Sequence, residues 1–392
     1  MDGTGKTVVN VTGAYRWLPT FSPSGNQMVT IESGFSFTDQ HLIIARFPDG
    51  KILAEIPLFA PGWEVDYGDR LGHGTIEQAI GRRSWSPGGR YLAFVGALDG
   101  PTCDLYIFDL STTAVHRLTD GPYQPVLMGW SPDGEWIVHQ SVIHFGTGAG
   151  IHGDAVWAAA VDGSEVRYLY PAKRQQSLVG WMDTRRFVAH EWGQPFGAMN
   201  ILRVSLEGDE PLMVYEGPLG TGRDFGLDQG IVAFNLTSYE VQQDQQPGIY
   251  VSSILYFDEP ELVLPGEWGG ISYWEQESLF LAVGEHGEVV GFDGKGDQKF
   301  RLEVSGEGGW LLPSPKNSMF AVQTTQGVWL YDHEGGGLQQ IMDEQIERFL
   351  WGPDGAVFFM LTEEGNMLYV GDPSNGDLAI IETGVTELGL VG

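Results

Sequence analysis

Eight times along this chain an aromatic or apolar residue runs into a Pro/Gly/Asp turn and then directly into an apolar strand. The sharpest copies read Trp85-Ser86-Pro87-Gly88-Gly89 and Trp130-Ser131-Pro132-Asp133-Gly134. Looser ones begin at Phe21, Trp181, Phe225, Trp274, Pro313 and Trp351. Proline presets φ at the second position of a type I turn, and the Asp-Gly or Gly-Gly that follows suits its tight end. The motif is therefore a hairpin corner. Runs such as Tyr91-Leu92-Ala93-Phe94-Val95 and Trp136-Ile137-Val138 follow it, too short for helices and rich in β-branched and aromatic residues. They predict strands buried on both faces.

The corner anchors at 21, 85, 130, 181, 225, 274, 313 and 351 recur about every 47 residues, the period of four-stranded propeller blades. Blade three shows the plan, with strands expected near 126–130, 135–141, 154–160 and 165–170, and blade seven repeats it at 308–313, 318–324, 326–331 and 338–342. No helical period persists, and strand-and-turn punctuation continues from about residue 7 to residue 383. The expected fold is all-β: a single β-propeller domain over 1–392 with eight four-stranded blades, or seven if the weak corners at Phe225 or Pro313 do not begin blades. Either Thr7–Val11 or Leu378–Ile381 would supply the closing outer strand.

Composition agrees with one large core. The 56 glycines and 21 prolines follow from a turn every ten residues or so rather than from disorder, because 42% of residues are apolar and 13 are Trp. With 21 basic against 52 acidic residues the net charge is −31, which repels phosphate backbones and anionic membrane surfaces. Nucleic acid is not an expected partner. The single cysteine, Cys103, opens an apolar strand and reads as a buried structural thiol, so neither an internal disulfide nor a Cys-based metal motif is expected. No apolar run reaches a membrane span and no signal peptide is visible.

The segment Leu105-Tyr106-Ile107-Phe108-Asp109-Leu110, then Arg117-Leu118-Thr119-Asp120-Gly121, then Trp130-Ser131-Pro132-Asp133-Gly134 resembles the repeat of TolB-type propellers. Blades two and three match closely, while the other six keep only the corner and strand pattern. The resemblance implies a propeller of bacterial periplasmic, cell-surface or secreted proteins that binds proteins or sugars. In that family the motif residues are structural, so no binding residue carries over. The same repeat type occurs in propellers that accompany peptidases and in oligogalacturonate lyases, so the fold does not separate binder from enzyme.

Because each corner joins first and second strands, the second-to-third strand loops and the blade-to-blade connections gather on the opposite face. The longest irregular pieces fall there: Ala60–Gln78, Val142–Gly153, Glu191–Ala198 and Thr237–Pro247. Long loops on a rigid scaffold are the usual places for recognition. They carry Trp63, Asp66, Tyr67, Asp69 and His73, then His144, His152 and Asp154, then His190, Glu191 and Trp192, then Tyr239 and Glu240. Trp and Tyr are stacking platforms for sugars or side chains, and imidazoles beside carboxylates suit a metal or acid–base chemistry. This set is the candidate ligand site for a protein or glycan. No His-x-x-x-His spacing accompanies it, so no cofactor is expected beyond weak divalent-cation binding. The rival is a secreted polysaccharide hydrolase or lyase whose histidines converge on a metal.

Three motif matches carry nothing. Gly3-Thr4-Gly5-Lys6-Thr7 lacks the strand, earlier glycine and helix of a phosphate-binding loop, and the triplets at Asn10 and Asn235 fit the glycosylation sequon only by chance. The Asp-rich turns at 293–297 and 372–377 lack the twelve-residue loop and bidentate Glu of a calcium site and read as turns.

Overall fold

A computed structural model describes residues 14–15, 20–33, 39–47, 49–60, 80, 82–99, 103–145, 150–172, 174–192, 198–218, 220, 222–241, 245–307, 309–334, 336–352, 355–362 and 367–383. Their regular structure is β apart from one 3-10 turn, Arg82–Ser84. Eight successive antiparallel sheets follow the chain in up-and-down order, consistent with an eight-bladed β-propeller. The weak corners at Phe225 and Pro313 each close the first strand of a sheet, Arg223–Gly226 and Trp310–Pro313, so both begin blades.

Blades three to eight have four strands each. Blade three runs Gln124–Trp130, Trp136–Phe145, Gly150–Ala160 and Val166–Pro171, and blade seven runs Trp310–Pro313, Met319–Thr324, Gly327–Asp332 and Gly337–Met342. Among the described residues two sheets depart from the expected four strands. In blade one Ala14–Tyr15 and Thr20–Phe21 both pair with Gln27–Ser33. In blade two the described residues form three strands, Tyr91–Gly96, Asp104–Asp109 and Ala114–Arg117. There the 3-10 turn ends at Ser84 and the corner begins at Ser86, which leaves only Trp85 to bridge Leu92. Leu378–Thr383 is the fourth strand of the last sheet, and Thr7–Val11 lies outside the described residues.

The corners show why the sequence turns where it does. Ser22, Ser86 and Ser131 each accept a hydrogen bond at Oγ from the backbone N–H five residues on, at 3.2, 3.0 and 2.9 Å. Backbone bonds from Ser86 N to Tyr91 O and from Gly89 N to Ser86 O close the same turn. The last residue takes a left-handed φ, 68° at Gly89 and 71° at Gly134, which glycine adopts without a Cβ penalty. Corner Trp residues tie one blade to the next. Trp130 Nε1 donates to Ser84 O at 3.1 Å, and Trp351 Nε1 donates to Leu312 O at 2.7 Å, two residues before the Ser of the preceding corner in both cases.

Second strands are the core of each blade: Tyr91–Gly96 and Leu279–Gly284 are buried along nearly their whole length, on both faces. Fourth strands alternate toward solvent, as Gln298–Glu303 does. The chain divides into two compact units, one carrying the strands up to Trp192 and the segment Leu202–Leu212, the other 198–201 and the strands from Met213 onward. In the first, Leu92, Phe94, Leu105, Phe108 and Ile137 share one apolar cluster. In the second, Phe280, Phe292 and Trp268 form one and Phe320, Trp274 and Leu311 another. Cys103 is buried and unpaired by disulfide, and burial pushes its thiol up to about 12. Among the described residues no helix is long and apolar enough to cross a membrane.

Candidate functional site

The second strand of blade three presents its two faces to different tasks. Successive strand residues point to opposite sides, so His139 and Ser141 share one face and Gln140 takes the other. On the Gln140 side the amide is fully used: Nε2 donates to Ala172 O and Arg174 O at 3.1 and 2.6 Å, and Oε1 accepts from Gln176 N at 3.0 Å. That side chain pins the connection from blade three to blade four.

The other face lines a cavity of about 660 Å³ between blades two and three, within the range of small-ligand sites. In the ladder His139 stands opposite Trp157 on the third strand and Leu127 on the first, while Ser141 stands opposite Pro125. Across from them the connection between the blades, Leu118–Tyr123, closes the wall. Asp104 holds that connection. Only 2% exposed, its carboxylate accepts from Thr119 Oγ1 at 2.9 Å and from the Gly121 backbone, bonds that oppose the upward shift burial imposes on it. Thr119 Oγ1 in turn accepts from Leu105 N at 2.9 Å. Arg117 is matched by two carboxylates, Asp99 at 2.8 Å and Asp120 at 2.9 Å.

His139 is the unusual member. It is 3% exposed, and its Nδ1 meets no hydrogen-bond partner among the described residues. Burial lowers its pKa to about 4, so the ring is neutral at ordinary pH. Ser141 is the opposite case, with every valence used. Its Oγ accepts from Ala155 N at 3.1 Å and Trp157 Nε1 at 3.0 Å and lies 3.0 Å from Asp154 Oδ2, to which it donates. Ser141 is bound to a carboxylate and to backbone, with no bond to His139, and acts as a hub that orients Trp157.

The structure scatters the site residues expected from sequence. Trp63, Asp66, Tyr67, Asp69 and His73 lie outside the described residues. His144 and Trp192 are placed by backbone alone, near the ends of the second strands of blades three and four. His152 is exposed on the hairpin, opposite Ile143, and Tyr239 is 97% exposed in a turn. His190 and Glu191 are consecutive strand residues and so face opposite sides. Glu191 accepts from Gln176 Nε2 at 2.7 Å and belongs to the network beside the blade connection. Of the described candidates only Asp154, through Ser141, reaches the cavity wall. The segment Val142–Gly153, expected to be irregular, is mostly hairpin: strands reach Phe145 and resume at Gly150. Among the described residues no three of His, Cys, Asp and Glu gather as a metal-binding group. Asp293 and Asp372 spend their carboxylates on the backbone of their own turns, to Lys295 N at 2.9 Å and Ser374 N at 2.8 Å.

Sequence reasoning passed over His139, Ser141 and Trp157 because they sit inside strands. The one available signal was a histidine within an apolar run, Trp136-Ile137-Val138-His139.

No family model matches the chain. In sequence it is 44% identical over 54 residues to the uncharacterized peptidase YuxL of Bacillus subtilis, which covers 14% of this chain and 8% of that protein. Among solved structures, a eukaryotic initiation factor aligns with 95% of this chain and 89% of its own, at 11% identity and a TM-score of 0.57. Dipeptidyl peptidase 4 of Porphyromonas gingivalis aligns with 93% of this chain and 59% of its own, at 10% identity and a TM-score of 0.53. At such identities these likenesses show the β-propeller fold alone. The chain spans under a tenth of the curated relative it matches and about three fifths of the dipeptidyl peptidase.

Proposed function

We propose that this chain is a non-enzymatic binding propeller of TolB type, part of a bacterial envelope, cell-surface or secreted assembly, and that it recognises a protein or glycan. The observation that carries the reading is the cavity between blades two and three, where an indole, a phenol and a buried neutral imidazole line one recess. Its serine accepts from the Ala155 amide and the Trp157 indole and makes no bond to His139, which supports a role in holding Trp157 in the recess wall. The experiment is paired: arrays of glycans and peptides to detect binding, and mass spectrometry of polysaccharide and peptide panels, with and without divalent metal, to detect turnover. Binding without turnover, weakened by Trp157→Ala, is the expected result. Shortened polysaccharide in a metal-dependent reaction would instead establish the hydrolase or lyase reading.

A second reading is favoured by the 54-residue match to a peptidase: a propeller that accompanies a catalytic domain and filters its substrates. It predicts selective retention of peptides over glycans on the same arrays.

A further inference from the structure

We infer that the cavity between blades two and three takes an uncharged sugar residue, stacked on Trp157 and hydrogen-bonded to His139 and Asp120. The inference rests on the binding reading above and narrows it to one ligand class. Three independent features of the wall select that class.

First, the recess has an apolar lining. Trp157, Pro122, Pro125 and Leu118 line it, and the Trp157 indole is held in place by its bond to Ser141 and by an edge-on contact with Tyr168 at 5.2 Å. An immobilised aromatic plane suits a ligand with a flat C–H face. Second, the buried His139 ring lines this surface. Its Nδ1 meets no partner among the described residues and is itself shut off from solvent, so a ligand hydroxyl would meet the ring at Nε2, for which no hydrogen bond stands among the described residues. A neutral imidazole both donates and accepts, as a hydroxyl does, so the match does not require a charged ligand. Third, the wall carries no unmatched positive charge. Arg117, the only cation among the described lining residues, is bracketed by Asp99 and Asp120, while Asp120 itself stands 78% exposed at the rim and can accept from ligand hydroxyls. Uronates and phosphorylated ligands would meet a wall whose charge is already balanced and a chain of net charge −31. A ring with an apolar face and neutral hydroxyls around its edge satisfies all three.

The experiment uses an array of short neutral gluco-, manno- and galacto-oligosaccharides, with oligogalacturonate as the anionic control, followed by calorimetry on the best binder. Asp120→Asn changes one exposed side chain and leaves the core intact. His139→Leu removes the imidazole, and circular dichroism confirms that each variant is folded. Expected is binding of at least one neutral oligosaccharide, weakened about tenfold or more by each substitution, with oligogalacturonate unbound. The inference is overturned if no neutral sugar binds, or if one binds and neither substitution weakens it. A peptide ligand indifferent to both variants would overturn the sugar assignment and leave the binding reading standing. Cleavage of the oligosaccharides would overturn the binding reading itself.

Discussion

Replacing His139 with leucine gives the sharpest test of how the blade-three sheet is sealed. The native ring is buried and its pKa is lowered from 6.5 to about 4, with burial as the cause. In the unfolded chain the ring titrates at its ordinary value, so between pH 6.5 and about 4 the unfolded state binds a proton that the native state refuses. Stability therefore rises with pH across that window. It falls by about 1.4 kcal/mol for each unit of acidification, and the whole shift amounts to ~3 kcal/mol. Above the window the ring is neutral in both states and the titration contributes nothing. Leucine removes the proton site, so the difference between the two proteins isolates this residue from the many carboxylates. Urea unfolding followed by tryptophan fluorescence should show the variant gaining ~2 kcal/mol on the native protein at about pH 5. Near neutrality the variant should be equal or up to ~1 kcal/mol more stable, because an unpaired buried nitrogen has been replaced by methyl groups. If the two stability curves run parallel down to about pH 4.5, the imidazole titrates freely in the native state and the sealed-histidine account is wrong.

Three further outcomes follow from the scaffold. Ser131→Ala removes the acceptor for Trp136 N and should cost ~1 kcal/mol in urea unfolding without altering ligand binding, which would show that the corner serine is structural. Gly153→Ala places a Cβ 2.1 Å from Ala172 O and 2.3 Å from Gln140 Nε2, so the blade connection must shift at a cost of ~2–3 kcal/mol. Gly163→Ala, in a turn with φ of 74° and open space around the added carbon, should cost only ~1 kcal/mol; equal losses at the two glycines would refute the steric argument. Cys103 should resist thiol-specific reagents in the native protein and react fully in denaturant, given a buried thiol whose pKa is raised to about 12.

The blades were legible because the turn chemistry is local. A Ser that caps its own turn, a Pro that presets φ and a Gly that accepts a left-handed backbone act within five residues, so the sequence displays the whole device. Period and alternation then place strands to within two residues in blade seven, whereas in blade three the two central strands run four residues further into their hairpin than expected, to Phe145 and from Gly150. The two short strands that pair with Gln27–Ser33 in blade one and the three-stranded sheet described in blade two were not legible. What the 3-10 turn at Arg82–Ser84 leaves of a strand depends on the backbone path into the corner, and Trp85 reads like any other anchor.

The site was hidden for a different reason. Loop residues such as Tyr239 advertise chemistry through side chains that end up in solvent, whereas the cavity is made by strand residues whose partners lie on other strands. His139 and Trp157 are far apart in sequence and become neighbours only through ladder register. That register is adjusted twice along one strand, between Val138 and His139 against the first strand and between Ser141 and Val142 against the third. Bulges of this kind re-aim side chains beside functional sites, and a one-residue slip would exchange the faces occupied by His139 and Gln140. It would put an amide built to hold Ala172, Arg174 and Gln176 into the cavity and drive the imidazole into the blade connection. The two residues therefore specify the register jointly. Swapping them, as His139→Gln combined with Gln140→His, should destabilise the protein by more than the sum of the single substitutions, a coupling a double-mutant cycle would measure.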